Sequence, residues 1–293
     1  MKRISVQDIM TRNVIGVEQD VLGSDIIKLM SERRIGSVVV LDHGSPVGII
    51  TVRDILKKIA EKCIAPSSVS AKQLMSQPIV IIDPNVNLRN ASLLLLQKGI
   101  KKLVVVENGK LRGLVTTTDI ERVFLPFDSP FDMLNYDNLS GLAFRKEFQS
   151  DFEKKLIEDI MTKDVKTVKN SMKIFEIAKI MNETKIGSLV VVKDKKAIGI
   201  VTDLQIVRKV LNENLDPGKV TAEEGMEPLV SISPKDTLKS ALEKMVNKTV
   251  KKLGVIDAGD SLVGIITTTD FLVYYRSLLF RPTALGEKKG ERI

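Results

Sequence analysis

The chain has 293 residues, a length that predicts about two domains, each large enough to bury a core of its own. Hydrophobic residues make up 43% of the sequence and charged residues 28%, which excludes a largely disordered chain. The net charge of +8 is spread over scattered basic pairs, such as Lys57-Lys58 and Lys288-Lys289. This pattern favours a solvated surface over a nucleic-acid-binding face.

Some classes of protein are excluded by what the sequence lacks. No apolar run approaches the roughly 20 residues that a membrane helix needs. No apolar block follows the basic start at Lys2-Arg3, so no signal peptide is predicted. The single cysteine, Cys63, excludes an intramolecular disulfide framework. We therefore expect a cytoplasmic protein that does not span a membrane.

Catalytic and metal-binding patterns are also absent from the sequence. His43 is the only histidine and lies in a predicted turn, so neither a Ser-His-Asp nor a Cys-His centre is expected. One histidine and one cysteine cannot build a usual zinc site. The glycine motifs of P-loops and dinucleotide-binding folds do not occur. We expect a binding protein rather than an enzyme, with no catalytic residue, metal or catalytic cofactor.

The first 62 residues predict a short opening helix followed by the order β-α-β-β-α. β-branched runs indicate the strands, and an apolar stripe from Ser24 towards Arg34 indicates the longer helix. The predicted elements are a helix at 5–10, a strand at 14–17, a helix from 24, strands at 37–41 and 47–50, and a helix at 52–61.

The same order recurs three times along the chain. In the second repeat the elements are predicted at 71–75, 79–82, 87–98, 103–106, 111–115 and from 117. The third repeat begins near Leu156 and the fourth near Val220. Odd repeats resemble each other (Ile35-Gly36-Ser37 and Ile186-Gly187-Ser188), and so do even ones (Ile100-Lys101-Lys102 and Val250-Lys251-Lys252). The sequence therefore predicts an α+β protein of four tandem repeats, derived from a pair that duplicated.

One heptad marks each repeat and carries the candidate site. Residues 48–54 read Gly-Ile-Ile-Thr-Val-Arg-Asp, residues 113–119 and 264–270 end in the same Thr-x-x-Asp, and residues 199–205 end in Gln. The last positions are 54, 119, 205 and 270, so the spacings are 65, 86 and 65. Three apolar residues before Thr predict a buried strand that leads into a helix, with Thr as the N-cap.

Two interpretations of Thr-x-x-Asp are open. The unpaired amides at a helix N-terminus attract phosphate, and an ionised Asp accepts hydrogen bonds from the two hydroxyls of a ribose. Alternatively, the pattern is only a capping box, although such a box prefers Glu or Gln at the last position. Gln205 would cap a helix but would not hold a diol as a carboxylate does. We therefore predict function for Asp54, Asp119 and Asp270 and a structural role for Gln205.

These features together resemble the CBS (cystathionine β-synthase) domain. The resemblance rests on Asp8-Ile9-Met10, on Gly36-Ser37-Val38-Val39-Val40 and on the four heptads, and it covers about 1–124 and 156–280. CBS repeats fold in pairs, called Bateman modules, so the resemblance implies two modules. Four repeats without an attached enzyme or channel are similar to the gamma subunit of AMP-activated protein kinase and to stand-alone archaeal regulators.

The resemblance and the composition together predict the division of the chain. Seven of the twelve aromatic residues lie between Phe124 and Phe152, which indicates packing rather than a flexible linker. The predicted parts are a first pair at 1–124 (repeats at about 1–62 and 68–124), an aromatic-rich connecting segment at 125–155, a second pair at 156–280 (repeats at about 156–214 and 219–280) and a polar tail at 281–293.

The resemblance also implies nucleotide-binding residues. In CBS pairs the ribose lies on the signature Asp of one repeat, and the base lies on the first strand of its partner. One cleft would use Thr51, Arg53, Asp54, Ile79, Val80, Lys101 and Lys102. A second would use Val14, Ile15, Ser37, Thr116, Thr118 and Asp119, and a third Val165, Lys166, Ser188, Thr267, Thr269 and Asp270. A weak or degenerate site would hold Thr202, Asp203, Gln205, Lys251 and Lys252. The alternative for the paired lysines is a solvated strand edge.

By resemblance the ligand is AMP, then ADP or ATP, then S-adenosylmethionine. The leading hypothesis is a non-catalytic sensor of adenine nucleotides that acts on an unknown regulated protein and can pair with a second copy through its modules. The alternative is a nucleic-acid-binding or scaffolding protein whose clefts are vestigial, although nucleic acid is the less expected partner.

Overall fold

The computed structural model describes residues 4–123 and 153–279. The predicted connecting segment, apart from its last three residues, and the predicted tail lie outside these ranges. In each of the four repeats three strands form a sheet whose first strand is parallel to the second and whose second is antiparallel to the third. In repeat 3 a fourth, two-residue strand at Glu227–Pro228 is added to this sheet, antiparallel to the third strand. The predicted α+β fold of four tandem β-α-β-β-α repeats is confirmed.

The first two repeats follow the same order. Repeat 1 contains α1 (Val6–Ile9), β1 (Gly16–Glu18), α2 (Gly23–Glu32), β2 (Ser37–Asp42), β3 (Ser45–Thr51) and α3 (Val52–Ile55), which continues as a π-helical turn (Leu56–Ala60). After a 3₁₀ turn (Pro66–Ser68), repeat 2 contains α4 (Ala71–Leu74), β4 (Ile81–Ile82), α5 (Leu88–Lys98), β5 (Lys102–Glu107), β6 (Lys110–Thr116) and α6 (Thr117–Val123).

The other two repeats retain this order with small changes. Repeat 3 contains a 3₁₀ turn (Ile157–Asp159), β7 (Thr167–Lys169), α7 (Ile174–Thr184), β8 (Ser188–Lys193), β9 (Lys196–Thr202) and α8 (Asp203–Gln205), followed by a π-helical turn (Ile206–Leu211). Repeat 4 contains α9 (Ala222–Gly225), β10 (Glu227–Pro228), β11 (Ser231–Ile232), α10 (Leu238–Lys248), β12 (Lys252–Ile256), β13 (Leu262–Thr267) and α11 (Thr268–Leu279).

The first strands of repeats 1 and 2 each begin two residues later than the sequence predicts. The strands predicted at 14–17 and 79–82 are observed as Gly16–Glu18 and Ile81–Ile82. The chain before each strand already lies beside its neighbour, because the carbonyls of Ile15 and Val80 accept hydrogen bonds from β2 and β5. A regular ladder starts only afterwards, so an apolar run predicts the position of these strands better than their ends.

Within the described residues the chain forms two compact units. The first contains residues 4–123 and 165–229, and the second contains residues 153–164 and 230–279. Among these residues no helix is both long enough and apolar enough to cross a membrane.

The largest core in the first unit is shared between repeats 1 and 3. The π-helical turn Leu56–Ala60 packs against α7, and the turn Ile206–Leu211 packs against α2. The buried side chains of this core include Ile26, Ile27, Met30, Ile55 and Ile59 from repeat 1 and Ile174, Ile177, Met181, Ile206 and Val210 from repeat 3. Burying this many aliphatic side chains removes a large apolar area from water, so repeats 1 and 3 stabilise one another.

A smaller apolar seam joins the sheets of repeats 1 and 2. Val39, Val104 and Leu114 are buried in it, and Val14 and Ile79 pack at its edge. The seam brings the ends of the paired strands β2–β3 and β5–β6 close together, and these ends carry the predicted site.

The opening segment of each repeat packs into another repeat's core rather than its own. Val6 and Met10 belong to the core of repeat 2, and Leu74 and Met75 belong to the core of repeat 1. The same exchange places Ile157 in the core of repeat 4. Repeats of this kind are therefore folded as interlocked partners, because each hydrophobic core is completed by a segment from elsewhere in the chain.

The glycine that begins each heptad makes room for a methionine from these opening segments. A Cβ at Gly48, Gly113, Gly199 or Gly264 would collide with the side chain of Met75, Met10, Met226 or Met161, respectively. The sequence alone does not distinguish a glycine that leaves room for a ligand from one that leaves room for another part of the chain. In the structure a methionine side chain fills the space.

Replacing Gly113 by Ala is expected to lower the free energy of unfolding by about 1–3 kcal/mol. The new Cβ would lie 2.7 Å from Met10 Sδ and 2.8 Å from the carbonyl oxygen of Thr11, and a backbone atom cannot move aside easily. Urea denaturation measures the change. The matched control is Gly36→Ala, because the nearest atom to a Cβ there is 3.9 Å away. Equal stability of the two variants would contradict the packing role of the heptad glycine.

Candidate functional site

In the Thr-x-x-Asp signatures the threonine binds the aspartate carboxylate, and in repeats 1 and 2 the amide of the aspartate also donates to the threonine hydroxyl. The amide and hydroxyl of Thr51 both donate to Asp54 Oδ2, at 2.8 and 2.6 Å. Thr116 donates to Asp119 Oδ2 in the same way, at 2.8 and 2.7 Å. Thr267 and Asp270 repeat the arrangement at 2.7 Å for both bonds. Each carboxylate is therefore held at the first turn of a helix by two donors, in a fixed orientation.

Gln205 makes the same cap without a charge. The amide of Thr202 donates to Gln205 Oε1 at 2.8 Å, and the amide of Gln205 donates to Thr202 Oγ1 at 3.2 Å. In repeat 1 the corresponding two bonds between Thr51 and Asp54 measure 2.8 and 3.3 Å. Capping alone therefore does not require a carboxylate at this position.

Lys102 connects the signatures of repeats 1 and 2. The strand registers place Ser37 opposite Thr51 and Lys102 opposite Thr116, so both residues lie next to a capping threonine. Across the seam, Lys102 Nζ donates to Ser37 Oγ at 3.0 Å. The ammonium of repeat 2 thus reaches the signature end of the repeat 1 sheet, and its assignment to the Asp54 cleft stays a prediction.

The surroundings of Lys102 are acidic. Burial lowers the pKa of its ammonium below the usual value for lysine. The carboxylates that oppose this shift are those of Asp119, Asp203 and Asp54, in decreasing order. One partly buried cation therefore lies within electrostatic range of carboxylates from three repeats.

Repeats 1 and 3 differ around the signature helix in several positions at once. In repeat 1, Ser76 Oγ donates to Asp54 Oδ1 at 2.6 Å, so both carboxylate oxygens of Asp54 accept hydrogen bonds. In repeat 3 the residue equivalent to Ser76 is Glu227, which pairs with Lys209 Nζ at 3.0 Å. Repeat 3 therefore has neither the signature carboxylate nor the hydroxyl that binds to it in repeat 1.

The predicted base-binding residues lie along the seam. Val14 and Ile79 are half-buried at its edge, with their side chains against the buried core of the seam. The neighbouring Ile15 and Val80 pack into the cores of repeats 1 and 2, and their carbonyls are used by the sheets.

Other predicted residues point elsewhere or are exposed. Arg53 donates to the backbone carbonyl of Lys185 at 3.1 Å, at the C-terminal end of α7 in repeat 3. This bond places its guanidinium at the negative end of a helix, so it links two repeats in this structure. Lys101, Thr118 and Thr269 are exposed.

The residues predicted for the second pair are divided between the two compact units. Thr267, Asp270, Lys251 and Lys252 lie in the second unit. The first unit contains Val165, Lys166, Ser188, Thr202, Asp203 and Gln205. Their combination into clefts stays a prediction.

Sequence reasoning gave little weight to two residues that the structure brings to the site. Ser76 is not among the predicted residues, although it directly follows Met75 in the opening segment of repeat 2, which packs into the core of repeat 1. Asp203 was assigned only to the degenerate site of repeat 3, yet it lies within range of Lys102. The sequence does contain a signal for Asp203, because the residue after the signature Thr is uncharged in the other repeats, where it is Val52, Thr117 or Thr268.

Among the described residues, no group of three or more His, Cys, Asp or Glu side chains could hold a metal ion.

Comparison with known proteins decides the family. The CBS domain profile matches residues 6–61, 71–125, 157–212 and 225–277, which make up most of the chain. The chain belongs to the CBS domain family. Its four CBS repeats coincide with the four sheets, and each match contains one signature.

Several archaeal proteins are similar to this CBS protein. A Methanopyrus kandleri protein, MK0525, is 37% identical over 125 residues, which are 42% of this chain and 64% of that protein. MJ1225 from Methanocaldococcus jannaschii is 25% identical over 205 residues, or 69% of each protein. In the structural comparison, MJ1225, proposed to be an archaeal homologue of γ-AMPK, aligns with a TM-score of 0.66 and 20% identity over 93% of this chain and 100% of its own. This likeness shows a shared fold.

One similarity is to an enzyme. A homoserine O-acetyltransferase from Methanohalobium evestigatum is 32% identical over 117 residues, but these are only 23% of that protein. The similarity reaches 39% of this chain.

Proposed function

We propose that this CBS protein is a non-catalytic regulator that binds adenine nucleotides, with AMP as the first candidate. In the first CBS pair, Asp54 and Asp119 would accept hydrogen bonds from ribose hydroxyls, while Val14 and Ile79 would face the base. Lys102 and the helix N-termini would compensate the phosphate. ADP, ATP and S-adenosylmethionine are the other candidates, and the cytoplasm is the proposed compartment.

One observation carries this proposal. Three signatures have a carboxylate at their last position, although the side-chain amide of Gln205 accepts the same hydrogen bond at that position in repeat 3. A capping box generally prefers the longer side chains of Glu or Gln, and Asp8, which closes a box with Ser5 in α1, is an exception that lies outside the signatures. A requirement for a charged acceptor next to a helix N-terminus accounts for the three aspartates, because a carboxylate accepts from both hydroxyls of a diol.

The packing of the signature helix suggests how binding could be transmitted. The cap of α3 contains Asp54, and the helix continues as the π-helical turn that packs on α7 of repeat 3. Arg53 and Glu61 add polar links, since Glu61 accepts a hydrogen bond from Asn182 at 2.8 Å. A ligand that fixes the start of α3 would therefore bias the packing of repeats 1 and 3. In this proposal a regulated protein, or a second copy of the chain, responds to that bias.

Calorimetric titration tests the proposal on protein freed of any ligand carried through purification. We expect at least one of adenosine, AMP, ADP, ATP and S-adenosylmethionine to bind, and guanosine monophosphate to bind at least tenfold more weakly than the best adenine ligand. Mass spectrometry of the untreated protein would identify a retained nucleotide independently. A protein that binds none of the adenine compounds would contradict the proposed function.

A further inference from the structure

Asp203 is an acidic residue in a position that is neutral in the other three repeats. It is the first residue of α8, directly after the capping Thr202, where the equivalents are Val52, Thr117 and Thr268. Repeat 3 is also the repeat whose signature has lost its carboxylate. The charge has therefore moved two residues towards the start of the helix.

The carboxylate of Asp203 is held close to the backbone of its own repeat. Its amide donates to the carbonyl of Gly187 at 3.1 Å, and its Oδ1 accepts a hydrogen bond from the amide of Leu204 at 2.7 Å. Oδ2 lies 3.0 Å from where a Cβ of residue 187 would be, so the carboxylate lies close over Gly187. Asp203 is half-buried, and its orientation is therefore restrained.

Lys102 occupies the equivalent space in repeat 1. Its Nζ lies 3.9 Å from where a Cβ of Gly36 would be, and Gly36 is the equivalent of Gly187. All of these residues belong to the same compact unit. Helices α3 and α8 begin beside these two glycines, because the amide of Val52 donates to the carbonyl of Gly36 as that of Asp203 donates to Gly187, and the two helices contact each other. Burial lowers the pKa of Lys102 while the charge of Asp203 raises it, in keeping with this contact.

We propose that Asp203 of repeat 3 sets the charge of the ligand that the first CBS pair accepts beside Lys102, favouring adenine nucleosides with no or one phosphate over ADP and ATP. The inference rests on the proposed function and names the ligand class of that same site. It assigns repeat 3 a role in the binding specificity of repeats 1 and 2.

The balance of charges supports this specificity. The ammonium of Lys102 has three carboxylates as neighbours, those of Asp54, Asp119 and Asp203. The side chain of Lys101, the residue before it, is exposed to solvent. The ammonium offsets only part of the charge of one phosphate, and each further phosphate adds negative charge next to carboxylates that are fixed by their hydrogen bonds. Removing one charge at a distance of several ångströms changes the interaction by an amount that corresponds to roughly 3- to 10-fold in affinity per added phosphate group.

The experiment is a titration of adenosine, AMP, ADP and ATP, without divalent cations and at fixed ionic strength, into wild-type and Asp203→Asn proteins. We expect the wild-type affinity to fall from AMP to ADP to ATP. In Asp203→Asn the affinity for ATP should rise about 3- to 10-fold or more, while that for adenosine changes less than about twofold. Asp203→Thr, the residue of repeats 2 and 4, is a second variant in case the first folds poorly.

Asp194→Asn is the matched control, because it removes the same charge from an exposed turn of the same repeat. It should leave the order of the four affinities unchanged. Tighter wild-type binding of ATP than of AMP, or an unchanged order of affinities in both Asp203 variants, would overturn the inference while leaving the proposed function standing. A wild-type protein that binds none of the four compounds would overturn both.

Discussion

Replacing Ile177 by Ala is expected to lower the free energy of unfolding by about 2–5 kcal/mol and to loosen repeat 1 together with repeat 3. Ile177 is fully buried in the core that these two repeats share. The cavity would lie beside the π-helical turn Leu56–Ala60, which packs on the same helix. Because the two repeats bury their apolar side chains against each other, the loss should not stay within one of them.

Amide hydrogen exchange locates this loss. In Ile177→Ala the protection of α2 and of the turn Leu56–Ala60 should fall along with that of α7. Leu96→Ala is the control, since Leu96 is 79% exposed and its truncation should cost less than about 0.5 kcal/mol. Full protection of repeat 1 while repeat 3 opens would show that the two repeats fold independently.

The sequence predicted the elements well because their signals are local. Apolar runs placed most strands within one or two residues of their observed bounds. The alternation of Gly-Ser and Lys-Lys between odd and even repeats indicated paired repeats. The side chain of Lys102 then reaches Ser37 of the preceding repeat, a contact that depends on this alternation.

The relation between repeats could not be predicted from these local signals. The exchange of opening segments and the core shared by repeats 1 and 3 depend on which apolar faces meet, and every repeat offers a similar face. The heptad glycine shows the difficulty, because its sequence context is the same whether a ligand or Met10 fills the space. Arg53 is a similar case, since its bond to the carbonyl of Lys185 depends on a neighbour 132 residues away.

The second large effect concerns the signature carboxylates. Replacing Asp54, Asp119 and Asp270 together by Gln is expected to leave the fold intact but to weaken AMP binding about 10- to 150-fold at each site. The caps should persist, because Gln205 already forms one with bonds of 2.8 and 3.2 Å. The charged acceptors for ribose would be lost, together with the negative charge that Asp54 and Asp119 place near Lys102 and the carboxylate that accepts from Ser76. Circular dichroism should show a thermal midpoint within a few degrees of the wild type.

A corresponding Ala variant separates capping from binding. Asp119→Ala should lose both the cap, at a cost of about 0.3–1.5 kcal/mol in stability, and the ligand contact. Asp119→Gln should lose the ligand contact alone. If both variants lost stability equally, Gln would not be an adequate cap at that position, and the comparison with Gln205 would fail.

Calorimetric titration of AMP into the triple Gln variant, beside the wild-type protein, tests the nucleotide-binding role of the carboxylates most directly. We predict clear binding by the wild type and affinities at least about tenfold weaker in a variant that is equally folded. Equal affinities in the two proteins would contradict this account, and the three aspartates would then be helix caps like Gln205.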